Sequence, residues 1–400
     1  MGTTAHSKPH ACWARLLGTA ILVWFGLAAI APAPGWCWGA VAHGLLARAA
    51  VDRMPGPVGD LLRANRDFLY CYSVLPDQWW GSPDLIPKLP RGLENPSGII
   101  GIREQGRHHV AVDGDLYAPL RDPRSGLLPV MTRDQARLLF KKHVDREGRA
   151  ALDRFRAENK WYKGGLKELP QAMFEKAGEL PWVTVETLDE LTRAMKANDW
   201  SRAAFLATVL SHYVGDTYTP LHTVHNYNGQ LHPNPLVKGI HGRWESGLVE
   251  NFEDRFVARL AKTTRAGGPP AALDGPEGVA AQVFRTVSES CSLVDAMLDQ
   301  EDEALKARHP GVTVVEKGQW GQIYDSVYYA SFFERQGQSC MDRLDASADA
   351  SVWLWRVAWE RAGRPEPPRG FKISIPLLLI DWRNNTIVPF DPNVGFRRDP

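Results

Sequence analysis

Four residues along this chain have the types and spacing of chemical ligands: His212 and Asp216, then His241 and Glu245. Each pair is a histidine and a carboxylate four residues apart, so on a helix both members project from one face, one turn above the other. Between the pairs, Pro220 cannot continue a helix, and the turn it forces brings His222 back toward the first pair. Imidazole nitrogen and carboxylate oxygen are the usual donors to a divalent metal such as Zn²⁺ in a hydrolytic site. One such pair is also what an ordinary surface ion pair looks like. Two pairs flanking a further histidine point to a metal site instead. Of the five histidines between 212 and 241, His225 and His232 lie among Asn226, Asn228 and Gly229 and read as loop residues in water. His143 and His309 sit in charged helical stretches and read as exposed.

The elements that must position these donors are helices. Apolar residues recur at helical spacing over Ala40–Met54, which ends at Pro55. Thr132–Lys160, Val185–Ala197 and Ser201–Val214 follow, the last two separated by an Asn198–Asp199 break. Arg243–Leu260, Glu277–Ala307 and Val327–Ala362 are each long enough to belong to a bundle. Phe371–Ile380 is an apolar, β-branched run that reads as a short strand or an extended tail on the bundle. Trp79–Gly106 is dense in Pro and Gly and reads as a long loop. The expectation is one all-α domain, a setting that suits ligands projected from facing helices.

The first 37 residues stand apart. Lys8 and Arg15 precede an uncharged apolar run, Leu16–Ala31, followed by Pro32, Pro34 and small residues at Gly35 and Cys37. That is the layout of a secretory signal peptide cleaved before Trp38, with an uncleaved anchor as the alternative. Export would leave the mature protein periplasmic or secreted. Removing Lys8 and Arg15 moves the formal charge from +1 to 1 − 2 = −1. No polybasic stretch gives a charge-based case for a nucleic-acid surface, although a metal cluster would supply positive charge of its own. Cys71, Cys291 and Cys340 remain. Cys291–Cys340 is a candidate bridge in an oxidising compartment, with Cys71 buried and inert.

Trp38-Gly39-Ala40-Val41-Ala42-His43, together with the 212–245 ligands, resembles the superfamily of zinc-dependent phospholipases C and S1/P1-type nucleases. The resemblance implies an all-α helical bundle with a trinuclear zinc site. In that superfamily the mature chain begins with Trp, which ligates through its amino nitrogen and carbonyl oxygen. A Trp can do so only if the peptide bond before it is cut, so the leader and the metal motif expect the same scissile bond. Asp77, in Leu75-Pro76-Asp77-Gln78-Trp79, resembles a further ligand. So does His108 in Arg107-His108-His109-Val110-Ala111-Val112-Asp113, with His109 as the alternative.

Carried over residue by residue, one zinc would take Asp77, His108, His212 and Asp216. A second would take Trp38, His43 and Asp216, and a third His222, His241 and Glu245. The resemblance implies three Zn²⁺ and attack on phosphorus by metal-activated water, with Asp77 orienting or deprotonating that water. It covers Trp38 to about Leu260. Residues from about 114 to 181 read as an insertion, and those from about 266 to 400 as extra helices and a tail. Arg243 reads as a surface residue, with contact to substrate phosphate as the alternative.

The superfamily implies two substrates, phospholipid or single-stranded nucleic acid. Glu245, in place of Asp, and the Arg107-His108-His109-Val110 run favour phospholipase C and peripheral membrane contact. The Trp38–His43 spacing and Trp244-Glu245-Ser246-Gly247-Leu248 lean toward a nuclease. Gln78 stands where some choline-specific phospholipases carry an aromatic residue. Tyr72, Trp79 and Trp80 could form a choline cage, stack bases or simply pack a loop. A reading from a different class is an exported zinc-binding protein without turnover. Nothing in the sequence points to a protein partner.

Overall fold

Helix Trp200–Tyr218 is the centre of the fold, and its sequence explains both its ends. The Asp199 side chain accepts the backbone N–H of Arg202 at 3.0 Å, capping the first turn, while Asn198 takes a left-handed φ of 56° that breaks the preceding helix. At the other end Pro220, with no N–H to give, starts a 3₁₀ turn, Pro220–Thr223. Nearly every residue from Ala203 to Thr217 is buried, so this helix is enclosed on all sides rather than on one stripe.

The computed structural model describes residues 39–262, 276–308, 314–318, 321–381 and 386–391. The expected leader, Trp38 and His309 lie outside the described residues. What is described is mostly helical. Leu180–Lys196, Ala40–Arg53 and Ser326–Arg361 pack around the central helix. The last of these spans 36 residues, starts on an Asp325 cap to Tyr328 N–H, and ties to the centre through Trp355 Nε1, which donates to Ala207 O at 3.0 Å. Arg53, at the end of its helix, donates to the carboxylates of Asp345 and Asp349. Gly215 lets the Ala40–Arg53 helix approach, because an added Cβ would stand 3.0 Å from Leu46 and 3.3 Å from the His43 ring. No helix among the described residues is long and apolar enough to cross a membrane.

Several boundaries differ from the sequence expectation. The 132–160 stretch is two helices, Arg133–Glu147 and Arg149–Glu158, parted at Gly148, whose φ of 55° with ψ of −126° is a combination that favours glycine. The 277–307 stretch divides into Pro276–Cys291 and Val294–Arg308. Trp79 and Trp80 belong to a helix, Leu75–Gly81, entered through Pro76; irregular chain follows it, with short helical turns at Ile86–Lys88 and Ile102–Gln105. Phe371 onward runs extended along the bundle, held by Asn65 and by Tyr72 Oη donating to Pro376 O at 2.5 Å. It then forms strand Leu378–Asp381, paired antiparallel with Thr386–Pro389. A second hairpin pairs Val314–Gly318 with Gly321–Tyr324.

The candidate Cys291–Cys340 bridge does not form, and all three described cysteines are free. Cys340 is buried midway along the long helix with its thiol against Trp244 O, while Cys291 neighbours Thr223. Burial pushes the Cys71 thiol well above its ordinary range. His143 is half-buried rather than exposed.

Candidate metal centre

Four separate elements converge on the carboxylate of Asp216. The central helix supplies His212 and Asp216 from one face, with His212 Nε2 3.4 Å from Asp216 Oδ2. The Ala40–Arg53 helix supplies His43, whose ring stacks on His212 at 3.8 Å between centroids and whose Nε2 lies 3.7 Å from Asp216 Oδ1. Asp77, in the first turn of Leu75–Gly81, points Oδ1 to within 3.6 Å of both His108 Nδ1 and His212 Nε2. His108 closes the group, with Nδ1 3.0 Å from Asp216 Oδ2 and 3.1 Å from His212 Nε2.

His108 is held by a segment, 106–112, that hydrogen-bonds on both sides. Glu179 N–H donates to Gly106 O and Ala111 N–H to Ala177 O on one side; Val110 N–H donates to His222 O and Val112 N–H to Thr223 O on the other. Gly178 makes the first contact feasible, since a Cβ there would collide with His109 O. The same lacing settles which of the neighbouring histidines faces the group. The His109 nitrogens approach Gln105 O and Lys176 O, away from it.

A second group lies beside the first. His222 sits in the turn after the central helix, His241 in the turn Ile240–Gly242, and Glu245 in a π-helical turn, Arg243–Gly247. Single π turns inside helices are rare and concentrate at functional sites. This one, with Asn251–Phe252 after it, breaks the expected 243–260 helix into three pieces. His222 Nε2 is 3.6 Å from Glu245 Oε1, and His241 Nε2 lies directly against the same oxygen. Gly39, at the start of the described chain, abuts Ser246 so closely that a Cβ would overlap it.

Three of the histidines are oriented alike. His212 Nδ1 meets Ser73 O at 2.7 Å, His241 Nδ1 meets Tyr227 O at 2.7 Å, and His222 Nδ1 meets His108 O. A backbone carbonyl on Nδ1 requires the proton there, leaving Nε2 as the unprotonated nitrogen, its lone pair facing inward. Burial favours the neutral ring at four of the histidines: it takes His212 down to about 3 and His43, His108 and His222 well below their ordinary value. Glu245 is pushed up by its burial and then by the negative charge of Asp77, and the two groups are joined where His222 Nδ1 meets His108 O.

Asp77, Asp216 and Glu245 are all fully buried among imidazoles that burial keeps uncharged. Carboxylates are taken out of water at large cost unless cations accompany them. Both ring nitrogens of fully buried His43 lack a hydrogen-bond partner among the described residues. These are the marks of donors arranged for something else, and the groups His43–Asp77–His212, His108–His212–Asp216 and His222–His241–Glu245 can hold metal ions. Donors of nitrogen and oxygen without thiolate fit zinc.

Arg243 is neither a surface residue nor open to substrate. It is buried, with Nε donating to Glu301 Oε1 at 2.6 Å and its other nitrogens donating to Leu236 O, Val237 O and Lys238 O. Tyr328 Oη donates to the same Glu301 oxygen. This strut fixes the π turn to the Val294–Arg308 and Ser326–Arg361 helices, which gives the C-terminal region a role. Removing one partner of a buried pair leaves the other charge uncompensated. Arg243→Met should therefore cost about 3–5 kcal/mol in urea unfolding, and Arg243→Met/Glu301→Leu should recover much of it. A single variant as stable as the wild type would show that the strut contributes nothing.

The sequence reading missed Glu104 and Glu301. Glu104 had a local signal, four residues before His108 at the spacing of the other pairs; Glu301 had none, being 58 residues from Arg243. Glu104 is fully buried and pushed up to about 7 by that burial. Tyr72, Trp79 and Trp80 are buried, with Trp79 Nε1 donating to Leu93 O at 3.3 Å and Tyr72 Oη donating to Pro376 O at 2.5 Å. No family model matches the chain, and no curated protein matches it.

Proposed function

We propose that this chain is an exported zinc-dependent phosphodiester hydrolase with a trinuclear centre, acting on phospholipids as a phospholipase C. The observation that carries the reading is the convergence of eight buried donors, His43, Asp77, His108, His212, Asp216, His222, His241 and Glu245, in two adjoining groups. Trp38 would complete the set through its amino nitrogen and carbonyl once the leader is removed. Bound zinc would supply an acidified water for attack on phosphorus and positive charge for the departing alkoxide. Asp77 would accept a hydrogen bond from the attacking water and aim it. Asp216, facing His43 on one side and His108 and His212 on the other, would be the shared carboxylate.

Two observations favour phospholipid over nucleic acid. No basic stretch offers a track for a polyanionic strand. The aromatic residues nearest Asp77 in sequence, Tyr72, Trp79 and Trp80, are buried and present no face for stacking bases. The same burial removes them as a choline cage, so the proposal carries no preference for a quaternary ammonium headgroup.

The test is product release by zinc-loaded protein starting at Trp38, given phosphatidylcholine vesicles, phosphatidylethanolamine vesicles and single-stranded DNA in parallel, with His212→Ala as control. Diacylglycerol without nucleotides supports the reading, and nucleotides without diacylglycerol make the protein a nuclease. Three bound zinc ions with no product in any arm would leave a zinc-binding protein without turnover. The terminal amine has its own check. One alanine added before Trp38 is expected to lower bound zinc from three equivalents to two, and unchanged stoichiometry would remove Trp38 from the ligand set.

A further inference from the structure

We propose that Glu104 is the positioning carboxylate of the centre, holding His108 through Nε2 so that Nδ1 is the nitrogen presented to Asp77, His212 and Asp216. The inference rests on His108 being a metal ligand, as proposed above. The histidines differ in which ring nitrogen they turn inward. His212, His222 and His241 turn Nδ1 outward onto backbone carbonyls and Nε2 inward. His108 is reversed: Nδ1 faces inward, and Nε2 faces Glu104 Oε1 at 3.8 Å. Each of the other three is met by a backbone carbonyl from another segment, Ser73 O, His108 O or Tyr227 O. The 106–112 segment is laced to its two neighbours through Gly106 O, His109 O and the N–H groups of Val110, Ala111 and Val112, and the outward nitrogen of His108 faces a side chain.

Glu104 is itself held in place. Its Oε1 accepts Tyr213 Oη at 2.5 Å, and its Oε2 accepts Asn95 Nδ2 at 2.7 Å and faces Arg107 Nε at 3.2 Å. Tyr213 is the residue after His212, so the carboxylate is anchored to the same helix that carries two of the ligands. The 3.8 Å gap exceeds a hydrogen bond, and a ring shift of about 1 Å closes it. A carboxylate on the outer nitrogen of a ligating histidine fixes its tautomer and raises its basicity, and losing such a partner typically weakens metal binding about 10–100-fold.

The competing account makes Glu104 only the counter-ion of buried Arg107. Glu104→Met/Arg107→Met separates the two, because it removes the carboxylate without stranding the guanidinium. Zinc affinity, measured by chelator competition, and the visible spectrum of Co²⁺-substituted protein are followed beside thermal unfolding. The double variant is expected to fold yet bind one equivalent of zinc about 10–100-fold more weakly, with an altered Co²⁺ spectrum. Glu104→Gln keeps an acceptor oxygen without its charge and should lose by a smaller factor. A folded double variant that binds three zinc ions as tightly as wild type overturns the proposal. So does a Gln variant with wild-type affinity and spectrum, which decides the matter if the double variant does not fold. Wild-type protein that binds no zinc would instead sink the metal centre itself, and this inference with it.

Discussion

Asp216→Asn is expected to leave the protein holding one zinc tightly instead of three and to slow phosphodiester hydrolysis at least about a thousandfold. The rate follows from charge: several kcal/mol of transition-state stabilisation come from metal ions in such a site, and each 1.36 kcal/mol is a factor of ten. The stoichiometry follows from geometry. Asp216 is the carboxylate that faces His43 through Oδ1 and His108 and His212 through Oδ2, so two of the three proposed zinc ligand sets would share it. The His222–His241–Glu245 group does not contain it. Asn keeps the volume and one acceptor oxygen, so the variant should fold. Glu245→Gln is the complement, expected to lose one zinc and keep two. Metal analysis after gel filtration, with turnover measured on the same sample, reads both. An Asp216→Asn protein that retains three equivalents and full turnover would mean that Asp216 bridges nothing.

Chelation is expected to destabilise the fold as well as stop catalysis. Without cations the centre is three carboxylates and five histidines in a dry interior, the carboxylates at 0 % exposure. A ligand that binds only the folded state stabilises it by RT ln(1 + [L]/Kd), about 4 kcal/mol per site at a thousandfold excess over Kd. Stripping zinc should accordingly lower the unfolding midpoint by roughly 10 °C or more, given a few degrees at most per kcal/mol in a domain of this size. Calorimetry with and without chelator measures it, and added Zn²⁺ should restore the midpoint where Mg²⁺ does not, because Mg²⁺ prefers oxygen ligands and keeps its waters. An unchanged midpoint after complete zinc removal would show that the donors tolerate one another without metal, contrary to the electrostatic account.

Periodicity and residue type alone made it plain that the described chain is helical and that histidines and carboxylates at i and i+4 share faces. His212–Asp216 and His241–Glu245 were legible because both members of each pair sit within one turn, where the helical period alone sets direction. The Asn198 break and the stop at Pro220 were legible for the same reason, since backbone φ and a missing N–H act locally. Tertiary structure decided what local periodicity cannot encode. It chose His108 over His109, because hydrogen bonds from 177–180 and 222–223 set the rotation of the segment between them. It turned Arg243 inward to Glu301 and Tyr328, partners 58 and 85 residues away, and put a π turn where an unbroken helix was expected. It buried Trp79 and Trp80 rather than leaving them on a surface loop, and it kept Cys291 and Cys340 apart on different neighbours. A side chain's type and its helical phase are properties of the chain; which charge, carbonyl or ring stands opposite it is a property of distant segments brought together, and only the packed core supplies that.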